Sequence, residues 1–307
     1  MAKIFITGIT GFIGSNIARV LVDKGHHIIA LYRASSKLEL CDDYKQKITW
    51  LLDSDEALIL KLKQFAPSIF IHSAWIGVTY EERNNWDSQF KNIEYLNKLL
   101  EIAKEAGVKQ FISLGSQAEY GHMEDVVKED AANCPTVAYG RIKVICSEVV
   151  KQFCEHHGLS WYWLRLFSFF GPGESSKWLI PSLVKTMISE SHMDMTAGEQ
   201  RYAYLYVNDL GTAINLIIEK SGKSGIYNIS GKTVLSIKQL AERVREIVNP
   251  FFKLNFGALP YRSNQPMCVL GSSDKFIKEF GDFEHTNFDH ALSTTVTHLK
   301  NSLTIRK

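Results

Sequence analysis

Ile4-Phe5-Ile6-Thr7-Gly8-Ile9-Thr10-Gly11-Phe12-Ile13-Gly14 decides the fold. The first four residues read as a strand, the three glycines as a tight turn, and the residues that follow as an amphipathic helix. Glycine lets the backbone turn sharply and come close to a ligand. A helix that starts there offers unpaired N–H groups and the positive end of its dipole, which suit a pyrophosphate. Gly14 allows close packing of helix on strand. A glycine-rich turn alone says little, but on the first strand of a β-α-β run it becomes an anion cradle made of Gly8, Thr10, Gly11, Phe12, Ile13 and Gly14.

Outward from that turn, short apolar runs at 3–7, 27–32, 48–52, 68–72, 110–114 and 161–167 alternate with helical stretches at 12–24, 55–65, 86–106 and 138–157. Strands separated by helices of crossover length imply parallel pairing, so the expected fold is α/β, a Rossmann-type doubly wound parallel sheet. After Gly171-Pro172-Gly173 the alternation weakens, with helices expected at 177–190 and 236–248. Residues 1–167 are therefore read as a dinucleotide-binding domain and 168–307 as mainly a smaller substrate-binding lobe. Residues 204–229 are expected to return to the first domain.

Composition narrows the partners. The 307 residues carry 35 Lys and Arg against 33 Asp and Glu, a formal charge of +2, which leaves no polybasic footprint for nucleic acid or a membrane surface. A small-molecule partner is expected. Cys41, Cys134, Cys146, Cys154 and Cys268 form no C-x-x-C, so no metal site and no disulfide framework is expected. The start reads as a strand rather than a signal peptide and no apolar run is long enough for a bilayer, so a cytoplasmic location is expected.

Tyr139-Gly140-Arg141-Ile142-Lys143 places Tyr139 and Lys143 on one face of a helix. Reduction of a ketone needs a proton donor beside the carbonyl oxygen. A tyrosine serves at neutral pH when a neighbouring ammonium stabilises its phenolate.

The G-x-x-G-x-x-G spacing, this Y-x-x-x-K and the segments quoted below resemble the extended short-chain dehydrogenases/reductases, which include nucleotide-sugar epimerases, dehydratases and reductases. The resemblance covers essentially the whole chain. Members using NAD tend to place an acidic residue after the second strand, on the ribose hydroxyls. Here Tyr32-Arg33-Ala34-Ser35-Ser36-Lys37 offers Arg33 with the hydroxyls of Ser35 and Ser36, which suit a 2′-phosphate through charge-assisted hydrogen bonds. NADP(H) is the favoured cofactor, with NAD(H) the other possibility. The resemblance also assigns Asp53 to the adenine and Ala74 to the cofactor cleft, and lets Lys143 hold the nicotinamide ribose.

Phe111-Ile112-Ser113-Leu114-Gly115-Ser116-Gln117-Ala118-Glu119-Tyr120-Gly121 resembles the segment whose serine or threonine polarises the reacting carbonyl, which assigns that role to Ser116. Dehydratases carry an acidic pair after that residue, and reductases that also epimerise carry a cysteine at the position of Ala118. Gln117 and Ala118 match neither. Glu119 is expected on the far side, as a surface carboxylate.

Arg165-Leu166-Phe167-Ser168 to Gly173 resembles R-x-F-N-x-Y-G-P-G, with Ser168 at the substrate-contacting asparagine. Gly198-Glu199-Gln200-Arg201-Tyr202-Ala203-Tyr204-Leu205-Tyr206-Val207-Asn208-Asp209 resembles G-x-Q-x-R-D-F-x-Y-V-x-D with its arginine one place early. Residues 259–267 resemble the tail whose arginine clamps a diphosphate. Arg201 and Arg262 are thus expected on the diphosphate and Ile180 in the nucleotide pocket. The implied partner is a nucleotide-diphosphate sugar, and the leading reading is NADPH-dependent reduction of a nucleotide-linked 4-keto-6-deoxysugar. A nucleotide-sugar 4-epimerase with bound NAD, and a non-catalytic cofactor-binding or scaffold protein, stay open as alternatives. The helices at 86–106 and 138–157 match the pair that members use for dimers, which implies a homodimer.

Overall fold

A computed structural model describes residues 1–262 and 265–304. The expected doubly wound parallel sheet is present. Strands β1 (Lys3–Thr7), β2 (His27–Tyr32), β3 (Thr49–Leu52), β4 (Ile69–His72), β5 (Gln110–Ser116) and β6 (Ser160–Leu166) alternate with helices α1 (Phe12–Asp23), α2 (Leu58–Phe65), α3 (Trp86–Glu105) and α4 (Ala138–His157). The smaller lobe follows as β7 (Ser168–Phe170), α5 (Leu179–Ser189), β8 (His192–Met195) and β9 (Arg201–Tyr206). Then come α6 (Val207–Lys220), β10 (Gly225–Ile229), β11 (Thr233–Ser236), α7 (Ile237–Val248), β12 (Lys253–Phe256), β13 (Cys268–Val269), α8 (Asp274–Phe280) and α9 (Phe288–Thr304).

The large sheet has the order β10-β6-β5-β4-β1-β2-β3. From β1 the chain winds outward through β2 to β3, then crosses back to β4 and winds the other way. The reversal leaves a crevice beyond the carboxyl ends of β1 and β4, where such sheets take ligands. The glycine turn and Ala74 both sit there.

Strand periodicity explains the two cores. In β1, Ile4 and Ile6 face α1 and α6, meeting Ile17, Leu210, Ile214 and Ile217, whereas Phe5 faces α3 and α4 among Phe70, Phe111, Leu99 and Ile142. A sheet covered on both faces needs apolar residues at odd and even positions alike, which is why its strands read as unbroken apolar runs. Truncating Phe5 to alanine would cost about 3–5 kcal/mol.

In the smaller lobe, β9 lies between β11 and β13, with β7 also paired to β9. Helices α5, α7 and α9 cover it through Leu183, Val184, Leu240, Val244, Leu292 and Val296. Two boundaries differ from expectation. Tyr204, Leu205 and Tyr206 belong to β9, so the chain rejoins the large sheet only at α6 and β10, the latter pairing with β6. Phe276, Phe280 and Phe283, expected in the smaller lobe, pack into the core of the large sheet beneath Tyr227 of β10. A weakly periodic tail gave no sign of which core it joins. Among the described residues, no helix is long and apolar enough to cross a membrane.

Candidate active site

The glycine turn is built for close approach. Gly8 has φ +77, and a Cβ there would come within 2.4 Å of the Ala74 nitrogen. One on Gly14 would meet the Gly8 carbonyl oxygen at 2.2 Å. Gly11 N-caps α1 without any side-chain cap, so the first-turn N–H groups stay open to an anion. Thr10, Phe12 and Ile13 are half-buried around it. Asn16 ties the turn to the smaller lobe, its amide donating to the carbonyls of Phe12 (2.8 Å) and Pro172 (3.1 Å). These residues fit the pyrophosphate of a dinucleotide, which would lie on the open first turn.

At the exit of β2, Arg33 and Ser35 are exposed and the chain turns tightly. The Arg33 N–H donates to Ser36 Oγ at 3.1 Å and the Ser36 N–H to the Arg33 carbonyl at 2.8 Å. Arg33 enters no ion pair among the described residues. Asp53, half-buried after β3, donates its N–H to the Tyr32 carbonyl at 2.9 Å. Tyr95 of α3 feels both charges: burial raises its phenol, the Asp53 charge adds to that, and Arg33 opposes it.

Ser116, Tyr139 and Lys143 converge at the carboxyl end of β5 and are almost fully buried. Two contacts bring α4 there. A Cβ on Gly140 would lie 2.3 Å from the Ala118 carbonyl oxygen, so glycine lets the helix sit directly on the turn after β5. The Tyr139 N–H donates to the Arg83 carbonyl (2.8 Å) and the Ala138 N–H to Asn84 Oδ1 (3.2 Å), which anchors the start of α4 on the loop before α3. Burial raises the Tyr139 phenol, opposed by the Arg83 charge and then by the Ser116 hydroxyl. Burial pushes the Lys143 ammonium down to about 7. That ammonium donates to the Leu114 carbonyl at 2.6 Å and faces the Trp75 ring at 3.3 Å. Trp75 is held by its indole N–H on Gln89 Oε1 (3.1 Å) and meets Tyr139 edge to face.

Glu119 corrects the expectation of a surface carboxylate. It is fully buried: Oε1 accepts from the Ser116 N–H (2.8 Å) and Trp163 Nε1 (2.9 Å), and Oε2 accepts from Arg165 Nε (2.7 Å). The Ser116 hydroxyl in turn accepts from the Ala118 N–H at 3.2 Å, so a single helical turn folds Glu119 back beneath the serine. Ser-x-x-Glu is the sequence signature of such a capping box, and it could have been read.

In the smaller lobe, Ser168 pairs with Tyr204 across β7 and β9, and Ile180 is buried in the first turn of α5. Arg201 is exposed, beside Glu199, Ser236 and Lys238 in an outer depression. Its neighbour Tyr202 takes the crevice side, its hydroxyl donating to the Pro266 carbonyl (3.1 Å) and accepting from Gln265 Nε2 (3.2 Å), with the Arg83 charge in reach. Arg201 therefore does not join Ser116, Tyr139 and Lys143. Side chains alternate along a strand, so an arginine one place early faces the other way. Arg262 is exposed and stacks on Tyr80, in the same loop as Arg83, with its guanidinium 4.9 Å from the ring. Sequence reasoning missed Trp75 and Arg83, which belong to no motif, and Tyr202, which stands where the G-x-Q-x-R-D-F-x-Y-V-x-D pattern has its arginine. It also missed Glu174, whose buried carboxyl is pushed up to about 8 beside Tyr204.

The sequence pattern of the NAD dependent epimerase/dehydratase family matches residues 4–230, well over half of the chain. The CDP-abequose synthase of Salmonella muenchen is 27% identical over 276 residues, covering 86% of this chain and 87% of that protein. The dTDP-6-deoxy-L-talose 4-dehydrogenase (NAD(+)) of Aggregatibacter actinomycetemcomitans is 23% identical over 275 residues, covering 88% and 99%. In fold, the chain superposes on the UDP-N-acetylglucosamine 4-epimerase of Methanobrevibacter ruminantium M1, solved with UDP-N-acetylmuramic acid, with a TM-score of 0.86. That likeness comes at 22% identity and covers 98% of this chain and 99% of the other.

Proposed function

The chain belongs to the NAD dependent epimerase/dehydratase family, and on that premise we propose that it acts on a nucleotide-diphosphate sugar, reducing a 4-keto-6-deoxyhexose unit with NADPH. The observation that carries the choice of cofactor and direction is Arg33. It stands exposed and free of ion pairs among the described residues, where an NAD enzyme tends to present a carboxylate to the ribose. A guanidinium there would attract a 2′-phosphate that a carboxylate would repel. The Salmonella and Aggregatibacter relatives, named for a CDP-sugar and a dTDP-6-deoxysugar, support the substrate class.

In this reading a bound NADPH would supply the hydride taken up by the ketone carbon. Ser116 donates a hydrogen bond to the ketone oxygen as negative charge grows there. Tyr139 passes its phenolic proton to that oxygen, giving the 4-hydroxy sugar, and regains a proton from solvent. Lys143 adds positive charge beside the phenol in its protonated form, which burial confines to pH values below about 7. Water elimination would need an acid next to Ser116, where Gln117 and Ala118 stand, and Glu119 is committed to Arg165. A homodimer through α3 and α4 belongs to the same reading, since Trp86, Phe90 and Ile145 are exposed on those helices. Light scattering should then give twice the chain mass.

A second reading is a 4-epimerase that keeps NAD and runs the same three side chains in both directions, favoured by the likeness to the Methanobrevibacter epimerase. One experiment separates the two. CDP-, dTDP-, UDP- and GDP-linked 4-keto-6-deoxyhexoses are incubated with NADPH in deuterated buffer. The reductase oxidises one NADPH per sugar without exchange at C3 or C5, and Tyr139→Phe slows it by about 10²- to 10⁴-fold. Sugar isomers interconverting without net loss of NADPH, or purified protein carrying tightly held NAD, would overturn the reductase reading.

A further inference from the structure

Arg83 lies in the loop between β4 and α3, outside every sequence motif, yet both of its ends engage the site. Its backbone carbonyl accepts the Tyr139 N–H at 2.8 Å. Its Nε donates to the Val78 carbonyl at 3.0 Å, which aims the guanidinium over the Tyr139 ring at 5.0 Å from the centroid. Trp178, at the start of α5, offers a second ring at 5.8 Å. We propose that Arg83 is a positioning residue for proton transfer: its guanidinium stabilises negative charge on the Tyr139 phenol as the proton leaves. The proposal rests on the reading of Tyr139 as the proton donor.

The placement of Lys143 is what gives Arg83 this work. The lysine ammonium is held by the Leu114 carbonyl and the Trp75 face, and lies 5.7 Å from the Tyr139 centroid, farther than the guanidinium. The charged and titratable groups facing Tyr139 are Arg83 from the loop, Lys143 from its own helix and Glu119 from the turn after β5, with Tyr202 of β9 beyond Arg83. Glu119 works against ionisation of the phenol. Arg83 is the largest influence in favour of it, ahead of the Ser116 hydroxyl. Arg83 enters no ion pair among the described residues, so no carboxylate cancels its charge. It is half-buried, so solvent screens part of the effect.

The test reads Tyr139 directly, in full-length protein labelled with ¹³C at tyrosine Cζ. The Tyr139 signal is the one absent from Tyr139→Phe. Arg83→Met should raise its titration midpoint by about one pH unit, a tenfold loss of acid strength, and Arg83→Lys should recover most of that. Both variants keep the backbone bond from Tyr139 to residue 83, so a loop that merely anchors the helix would leave the midpoint in place. An unchanged midpoint in Arg83→Met overturns the proposal. If the midpoint moves but the parent turns over no nucleotide ketosugar, the reading of function fails while the link between Arg83 and Tyr139 stands.

Discussion

The carboxylate of Glu119 accepts from Arg165 Nε at 2.7 Å, and both side chains are all but sealed from solvent. Arg165 also donates from Nη2 to Asn133 Oδ1 at 2.7 Å and lies over the Tyr120 ring, so the cation is held from three sides. The pair forms the floor beneath Ser116, whose N–H takes the other carboxylate oxygen.

Removing one member of a buried pair strands the other charge. Glu119→Gln should therefore destabilise the protein by about 3–5 kcal/mol, while a Glu119→Gln and Arg165→Met double variant should lose less, because no lone charge remains inside and the amide oxygen can still accept from Ser116 and Trp163. Guanidinium unfolding curves of the parent and both variants decide this. A Glu119→Gln protein within about 1 kcal/mol of the parent would show that the pair contributes little, as pairs at the surface do.

Much of this was legible beforehand, and what was missed has identifiable causes. Strand and helix periods gave the large sheet, and the glycine turn with its helix start gave the crevice, because those signals are local. Glu119 was expected on the far side of the segment because nothing in the expected strand, which ends at 114, signals the turn that follows. The chain leaves β5 at Ser116 and makes a helical turn, which swings the carboxylate beneath the serine. Arg201 was misplaced because a motif match tolerates a shift of one residue and a strand does not. Trp75 and Arg83 left no trace, since a loop side chain is aimed by tertiary contacts such as those of Gln89 and Val78.

Arg33 should discriminate between cofactors. Arg33→Ala is expected to weaken NADPH binding by about 1.5–3 kcal/mol, the range for hydrogen bonds to charged groups, and to leave NADH binding nearly unchanged. Calorimetric dissociation constants for both cofactors measure it. Equal losses would mean that Arg33 shapes the loop through its turn with Ser36 and reads no phosphate.

His72 sets a pH dependence. It is buried beside Thr7, whose Oγ1 lies 2.9 Å from Nδ1, and burial, aided by the Lys143 charge, pushes the imidazole down to about 3. The unfolded chain takes up this proton near 6.5, before the folded one does. The associated stability is thus complete above about 6.5 and is lost as the pH falls toward 3. Relative to His72→Gln, the parent should lose roughly 2 kcal/mol between pH 7 and pH 5. Denaturant unfolding at the two pH values tests it, and parallel losses in parent and variant would show that His72 is protonated in the folded state.

The two arginines offered for a diphosphate should behave differently. Arg201 aligns with Ser236 and Cys268 on β9, and its side chain shares the outer depression with Glu199 and Lys238 while Tyr202 takes the crevice side. Arg262 stacks on Tyr80, in the loop that also carries Arg83 over Tyr139, so its guanidinium stands near the crevice rim. A guanidinium that grips phosphate oxygens is worth roughly ten- to a hundredfold in affinity. Arg262→Ala should therefore raise KM for the nucleotide sugar by about that factor with a smaller change in kcat. Arg201→Ala should leave both within about twofold, as a surface substitution does. Steady-state kinetics of the two variants on one substrate measure the contrast. A raised KM in Arg201→Ala with a silent Arg262→Ala would put the diphosphate on the outer face of β9, away from Ser116, Tyr139 and Lys143, and so break the substrate placement on which the proposed reaction depends.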